Sequence, residues 1–146
     1  MAIAQTMCTS FKVALFSGEM DFSSDTSQTF KIALYTSDAD LGAGTIAYST
    51  SNEVSGAGYT AGGETLTIAT NATSTDTTAF IDFADVTWSN SSITARGALI
   101  YRSSGSGNPA IAVLDFGADK QSDSSSPTFK VEFPTGNATN AIIRIE

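Results

Sequence analysis

AFIDFADVTW (79–88), ITARGALIYRS (93–103), PAIAVLDFG (109–117), TFKVEFP (128–134) and AIIRIE (141–146) decide the fold class. Each run is rich in β-branched and aromatic residues and is bounded by Ser, Gly, Asn or Pro, the pattern of successive strands parted by turns. Residues 80–88 read as one strand leading to Trp88. Residues 93–102 are long enough to cross a whole sheet. Pro109 opens five consecutive apolar residues, Ala110 to Leu114, which marks a strand covered on both faces and hence central. Phe129, Val131 and Phe133 alternate with Lys130 and Glu132, and Ala141 to Ile145 closes the set.

Upstream the signals are sparser. Phe30, Ile32 and Leu34 alternate with Lys31, Ala33 and Tyr35, which predicts a half-buried strand over 30–36. SDADLGAG (37–44) reads as a loop with one helical turn at Asp38–Leu41, and Thr45–Ser49 as a short strand or linker. NEVSGAGYTAGG (52–63) carries four glycines and reads as an ordered loop with positive-φ positions. ETLTIA (64–69) is a short strand, TNATSTDTT (70–78) a polar turn, and 117–127 a polar loop. Thr9–Gly18 is the one helix: Thr9 or Ser10 caps it, Phe11, Ala14 and Leu15 share a face, and Gly18 stops it. A strand reading of FKVALF competes. The sum is a mainly β chain, a β-sandwich or jelly-roll-like barrel of about eight strands with a short N-terminal helix. At 146 residues one domain is expected, with 1–29 as an N-terminal segment and 30–146 as the sandwich.

Composition narrows the function classes. Twenty Ser and twenty Thr replace charge on the polar surface, since only 15% of residues are charged. The seven Lys and Arg are scattered in a chain of net charge −8, whereas phosphate recognition needs them clustered, so nucleic acid is not an expected partner. No apolar run reaches membrane-spanning length, and residues 1–16 lack the basic start and apolar stretch of a secretory signal. Cys8 is alone, which leaves no intrachain disulfide to form. Sequons at Asn71, Asn90 and Asn137 are what a Ser/Thr-rich chain carries by chance.

Chemistry is thinly represented. With no His in the chain, a Ser, Thr or Cys nucleophile lacks its usual base. Asp82, Asp85 and Asp115 lie on or beside neighbouring strands, and a facing pair of them would be the minimum for acid–base hydrolysis. Structural roles account for them more simply. Arg96 sits inside a strand and requires a carboxylate, with Asp82 and Asp115 as the partners in reach. Asp38-x-Asp40 and Asp119-x-x-x-Asp123 lack the full oxygen series of a calcium loop. GYTAGG lacks the Lys-Ser/Thr ending of a phosphate loop. The expectation is no catalytic residue, no metal and no cofactor, hence no enzyme. A carbohydrate- or receptor-binding β module is a different class of reading. It would place Tyr59, Trp88 and Tyr101 at the surface as stacking aromatics.

Five segments taken together carry a resemblance: CTSFKVALFSGEMDF (8–22), TFKIALYTSDADLG (29–42), SNEVSGAGYTAGGETL (51–66), DFADVTWSNSSITARGALIYRSSGSGNPAIAVLDFGADK (82–120) and FKVEFPTGNATNAIIRI (129–145). The combination resembles a family of small virion structural proteins of tailed bacteriophages and prophages, most specifically in ITARGALIY and AVLDFGADK. The resemblance implies a component of the virion. A capsid decoration (cement) protein bound to the major capsid protein is the first expectation, and a tail or fibre component the second. It also implies a homo-oligomer, with a trimer among the candidate states.

Overall fold

The strand patterning becomes ten strands and one helix in the computed structural model, which describes residues 2–104 and 106–146. In chain order these are β1 (Thr6–Met7), α1 (Thr9–Phe16), β2 (Thr29–Tyr35), β3 (Glu64–Leu66), β4 (Ile68–Thr75), β5 (Thr78–Phe83), β6 (Val86–Ser89), β7 (Thr94–Ser103), β8 (Ala110–Gln121), β9 (Thr128–Val131) and β10 (Ile143–Ile145). Strands and isolated bridges together hold 46% of the described residues and helix 6%. A five-stranded sheet runs β1-β8-β7-β2-β3, a three-stranded one β10-β5-β4, and a two-stranded one β6-β9. Every strand pairing is antiparallel. The result is sandwich-like, with the large sheet on one side and the two small ones on the other.

β7 is the central strand. Leu99 and Ile100 are fully buried on its two faces, and its neighbours contribute Ile32, Ala33, Leu34 and Ile111. Phenylalanines fill the space between the large sheet and β5. Phe22 stacks on Phe30 at 4.6 Å, Phe11 meets Phe22 edge-on at 6.0 Å, and Phe30 lies 6.0 Å from Phe83. Trp88 and Phe129, opposite each other on β6 and β9, do the same for the two-stranded sheet. Burial of such rings is the dominant favourable term in a chain with no disulfide. The N-terminal segment, residues 2–29, contributes to this core through Phe11, Phe22 and the pairing of β1 with β8.

Several local expectations change. Residues 80–88 are two strands, because Ala84 and Asp85 break the run and carry the chain from one small sheet to the other. Asp85 fixes that break by accepting the Phe133 amide at 2.9 Å. TNATSTDTT is no loop: Thr70–Thr75 is strand, turning at Asp76, whose φ of 51° an Asp tolerates, into β5. β8 extends to Gln121 and so absorbs the start of the presumed 117–127 loop. β8 is also second from the sheet edge rather than central, and its apolar run is covered by α1. Asp38–Leu41 forms no helical turn, and Thr45–Ser49 contributes only a bridge from Ala47 to Pro109.

The helix keeps its expected span but not its expected cap. Cys8 occupies the N-cap position, where its backbone is extended and no side-chain cap forms. The C-terminus is a Schellman motif: Gly18, at φ 69°, donates to the Leu15 carbonyl at 3.2 Å and Glu19 to the Ala14 carbonyl at 2.9 Å.

Gly63 is the tightest point of the fold. Its φ is +69°, and a Cβ there would lie 1.8 Å from the Ile32 carbonyl oxygen. Left-handed backbone costs a non-glycine residue about 1–2 kcal/mol before any clash. Gly63→Ala is therefore expected to lower unfolding free energy by at least about 2 kcal/mol in urea titration, with the slope of the transition unchanged.

Candidate functional site

The three aromatics expected at the surface are not a platform. Trp88 is 1% exposed and Tyr101 3%, and Tyr59 is half-buried with its ring stacked toward Trp88 at 6.1 Å. The physical reason is that each has work in the interior. All four tyrosines of the chain converge where the loop 48–63 crosses the large sheet. Tyr48 stacks on Tyr101 at 4.6 Å, and Tyr101 donates its hydroxyl to the Gly62 carbonyl at 2.8 Å. Tyr35 donates to the Ser49 carbonyl at 2.6 Å.

Glu53 is the hub of this cluster. Its Oε1 accepts the Tyr59 hydroxyl and the Gly62 amide, each at 2.7 Å, and its Oε2 accepts the Tyr48 hydroxyl at 2.7 Å. Tyr59 in turn accepts the Leu34 amide of β2 at 2.9 Å. A chain of bonds thus runs from the sheet backbone through a phenol to a carboxylate and back to the loop. Burial, aided by the nearby Glu53 charge, raises the pKa of Tyr35, Tyr48, Tyr59 and Tyr101, so all four hydroxyls stay protonated as donors. Glu53→Ala strands two phenol donors and an amide, and is expected to cost about 2–3 kcal/mol in chemical denaturation.

Arg96 donates from Nη1 to Asp115 Oδ1. The Gly117 amide donates to the same oxygen at 2.8 Å. These two donors, the amide foremost and then the guanidinium, hold the Asp115 carboxyl below the ordinary carboxylate range. Their position has a purpose in the backbone. Ala95 pairs with Lys120 and Gly97 with Asp115, so Arg96 alone opposes residues 116–119 in a wide bulge. The bulge re-aims Phe116 toward Phe129 of the two-stranded sheet, 6.2 Å away.

Asp82, the other partner expected for Arg96, is elsewhere. It is buried on β5 and accepts the Ile142 amide at 3.3 Å, with no cation against it. Asp82 and Asp115 lie in different sheets with different hydrogen-bond partners. Desolvation raises the Asp82 pKa above its ordinary value. A carboxylate whose folded pKa is raised opposes folding once ionised, so the penalty is present above the folded pKa and vanishes on acidification. Asp82→Asn keeps an acceptor for Ile142 and removes the charge. It is expected to raise the melting temperature at pH 7, with the gain shrinking as pH falls through the carboxylate range, and a thermal-shift series in pH checks it.

Asp123 closes its own turn by accepting from the amide and hydroxyl of Ser125. Among the described residues no three His, Cys, Asp or Glu side chains gather as metal ligands would. Cys8 is fully buried, and burial pushes its thiol up to about 11, the opposite of an activated nucleophile.

The surface feature that stands out is apolar. Phe16 is 94% exposed and Val13 60%, on the outer side of α1. At 100° per residue, Phe11, Ala14 and Leu15 turn inward while Lys12, Val13 and Phe16 turn outward. Beside the helix lies a groove of 170 Å³ whose lining is almost wholly apolar, formed by Phe11, Leu15, Phe22, Phe80, Ile143 and Ile145 among others. Ile145, at its edge, is 52% exposed. The helix thus exposes apolar side chains on one side and lines an apolar groove on another, and exposed apolar surface of sufficient extent marks contact sites. Its signal was present in the sequence: five of the six residues of FKVALF are apolar, more than one face of a two-turn surface helix can bury. No family model, curated protein or solved structure matches the chain.

Proposed function

We propose that the chain is a structural component of a bacteriophage particle, most specifically a capsid decoration protein that binds the shell and stabilises it. The observation that carries the reading is the exposure of the large apolar side chains Val13, Phe16 and Ile145, together with an apolar groove lined by Phe11, Leu15 and Ile145, on a β domain of few charges. A surface of this kind supports adhesion to protein, and the segment resemblance to small virion proteins supplies the particle. The partner that fits is the major capsid protein or further copies of the chain. The reading assigns the chain no catalytic step and no cofactor.

A tail or fibre position is the second reading within the same class, on the same resemblance. The carbohydrate-binding alternative loses its support, because Trp88 and Tyr101 are buried and the Tyr59 hydroxyl is committed to Glu53.

The test is a cryo-EM map of purified particles of the phage or induced prophage that encodes the chain. Many copies distributed over the shell are expected. A few copies confined to the tail would move the chain to the second reading, and its absence from the particle would overturn both. Attachment through apolar surface is expected to survive a salt wash, since screening weakens exposed charge pairs first. Release at moderately raised salt would argue for an electrostatic contact instead.

A further inference from the structure

We infer that the cleft between β8 and β9 takes an extended segment of a partner protein, inserted as a strand that pairs with both. The inference deepens the assembly reading above and rests on it only for which protein supplies the segment.

β8 and β9 leave the turn 122–127 as a hairpin and then part. The Asp123 amide donates to the Thr128 carbonyl at 3.1 Å. The next rung of that ladder, Gln121 against Lys130, is not made. Cα atoms of the two strands lie more than 8 Å apart along nearly all of their length. Strands on either side of a missing one lie about 9.5 Å apart, twice the ordinary spacing. The space between β8 and β9 is a cleft of 490 Å³.

The cleft runs along a strand edge. Successive residues of a strand point to opposite faces, yet residues 128 to 132 all line the cleft, and only the edge of β9 touches all five. In an antiparallel ladder the N–H and C=O of one residue share a side, and the side alternates along the strand. The Pro127 carbonyl accepts the Ser91 amide on the β6 side, and the Thr128 carbonyl faces Asp123 on the other. Lys130 and Glu132, which share the parity of Thr128, therefore turn their N–H and C=O away from β6. On β8 the Ser122 amide donates to the Ile93 carbonyl beside β7, so Gln121 turns its groups away from β7, toward the cleft. No hydrogen bond from elsewhere in the described chain reaches the backbone of Gln121, Lys130 or Glu132.

This arrangement selects the occupant. Two facing rows of unpaired N–H and C=O groups are matched by a single extended backbone that satisfies both. Inserted there, it joins β7-β8 to β9-β6 in one sheet. Phe116, Phe129 and Val131 line the cleft and meet the apolar side chains of such a strand. Lys130 is held by Asp85 and Glu132, whereas Lys120, also in the lining, has no carboxylate against it among the described residues. The segment therefore alternates apolar residues with acidic ones. A second copy does not supply it. Every strand of the chain already has a partner, and β9 is a four-residue edge carrying a lysine, which keeps off the flat sheet of another copy.

The probe is a capped hexapeptide alternating valine and glutamate. It is titrated into the isotope-labelled chain to about 1 mM, where a Kd of that size half-fills the cleft. The amide signals of Gln121, Lys130 and Glu132 are expected to shift together. A peptide with a central proline lacks one donor and is expected to bind about tenfold more weakly, the scale of one hydrogen bond. Lys130→Pro removes the outward N–H and leaves the β6 ladder intact, a placement edge strands accept; it is expected to weaken binding by a similar factor. Lys130→Ala keeps the N–H and is expected to bind like wild type. Should Lys130→Pro melt lower, the proline peptide makes the same comparison on the native chain. Lys120→Glu is expected to shift the preference to a valine–lysine peptide. Unmoved amides at those three positions, or equal binding of the proline peptide, overturn the inference. An unchanged preference in Lys120→Glu overturns the acidic character of the segment. The same three amides shifting with chain concentration alone overturn the partner protein in favour of a second copy. A particle map with the chain on the shell and this cleft empty overturns the insertion and leaves the particle reading intact. Peptide binding by a chain absent from particles does the reverse.

Discussion

Glu53 is the constraint on which the arrangement of this chain depends. The long connection between β2 and β3 runs from Thr36 to Gly63 with only bridges and turns of its own. A stretch of that length has backbone polar groups to satisfy and little hydrophobic area to hold it. One carboxylate with three donors, two of them phenols planted on rings, ties it to the sheet. Because Tyr59 also accepts from the β2 backbone and Tyr101 rises from β7, the loop is bound to two interior strands rather than to an edge. The close approach of Gly63 to Ile32 is the steric counterpart of the same tie.

The mainly β fold was legible because burial enforces period 2 along a strand: Phe129 and Val131 point inward with Lys130 outward, as the alternation requires. What stayed hidden were the features set by contacts distant in sequence. Tyr101 reads as a surface aromatic because its acceptor, the Gly62 carbonyl, reaches it only after β2, β3 and β7 pair; Tyr59 finds Glu53 within its own loop, but only once that loop has folded back on itself. Arg96 could be expected to need a carboxylate, yet choosing Asp115 over Asp82 depends on register, since β7 pairs with β8 and β5 belongs to another sheet. The Ser/Thr-rich residues 70–75 looked like turn because they are exposed on both faces, and their strand conformation comes from pairing with β5 rather than from any buried side of their own.

The patch on α1 follows from a mismatch between helix length and helix composition. Eight residues present too little inward surface for five apolar side chains. The Schellman turn at Gly18 ends the helix immediately after Phe16 and sends the chain back to deliver Met20 and Phe22 to the core. The same turn that secures the phenylalanine cluster thus fixes Phe16 outside it. Core packing and solvent exposure are divided between neighbouring side chains of one helix, and the outer ones are free to change without disturbing the inner ones.

The buried thiol at position 8 gives the molecule a quiet chemistry. With its pKa pushed up to about 11, roughly one thiol in ten thousand is ionised at neutral pH, and the ionised form is the one that reacts. Full burial and the raised pKa together disfavour alkylation and oxidation of the native thiol. A single cysteine engineered anywhere on the exterior would be labelled selectively, with Cys8 left in place, which makes the native protein ready for fluorescence and cross-linking work without prior removal of its own thiol.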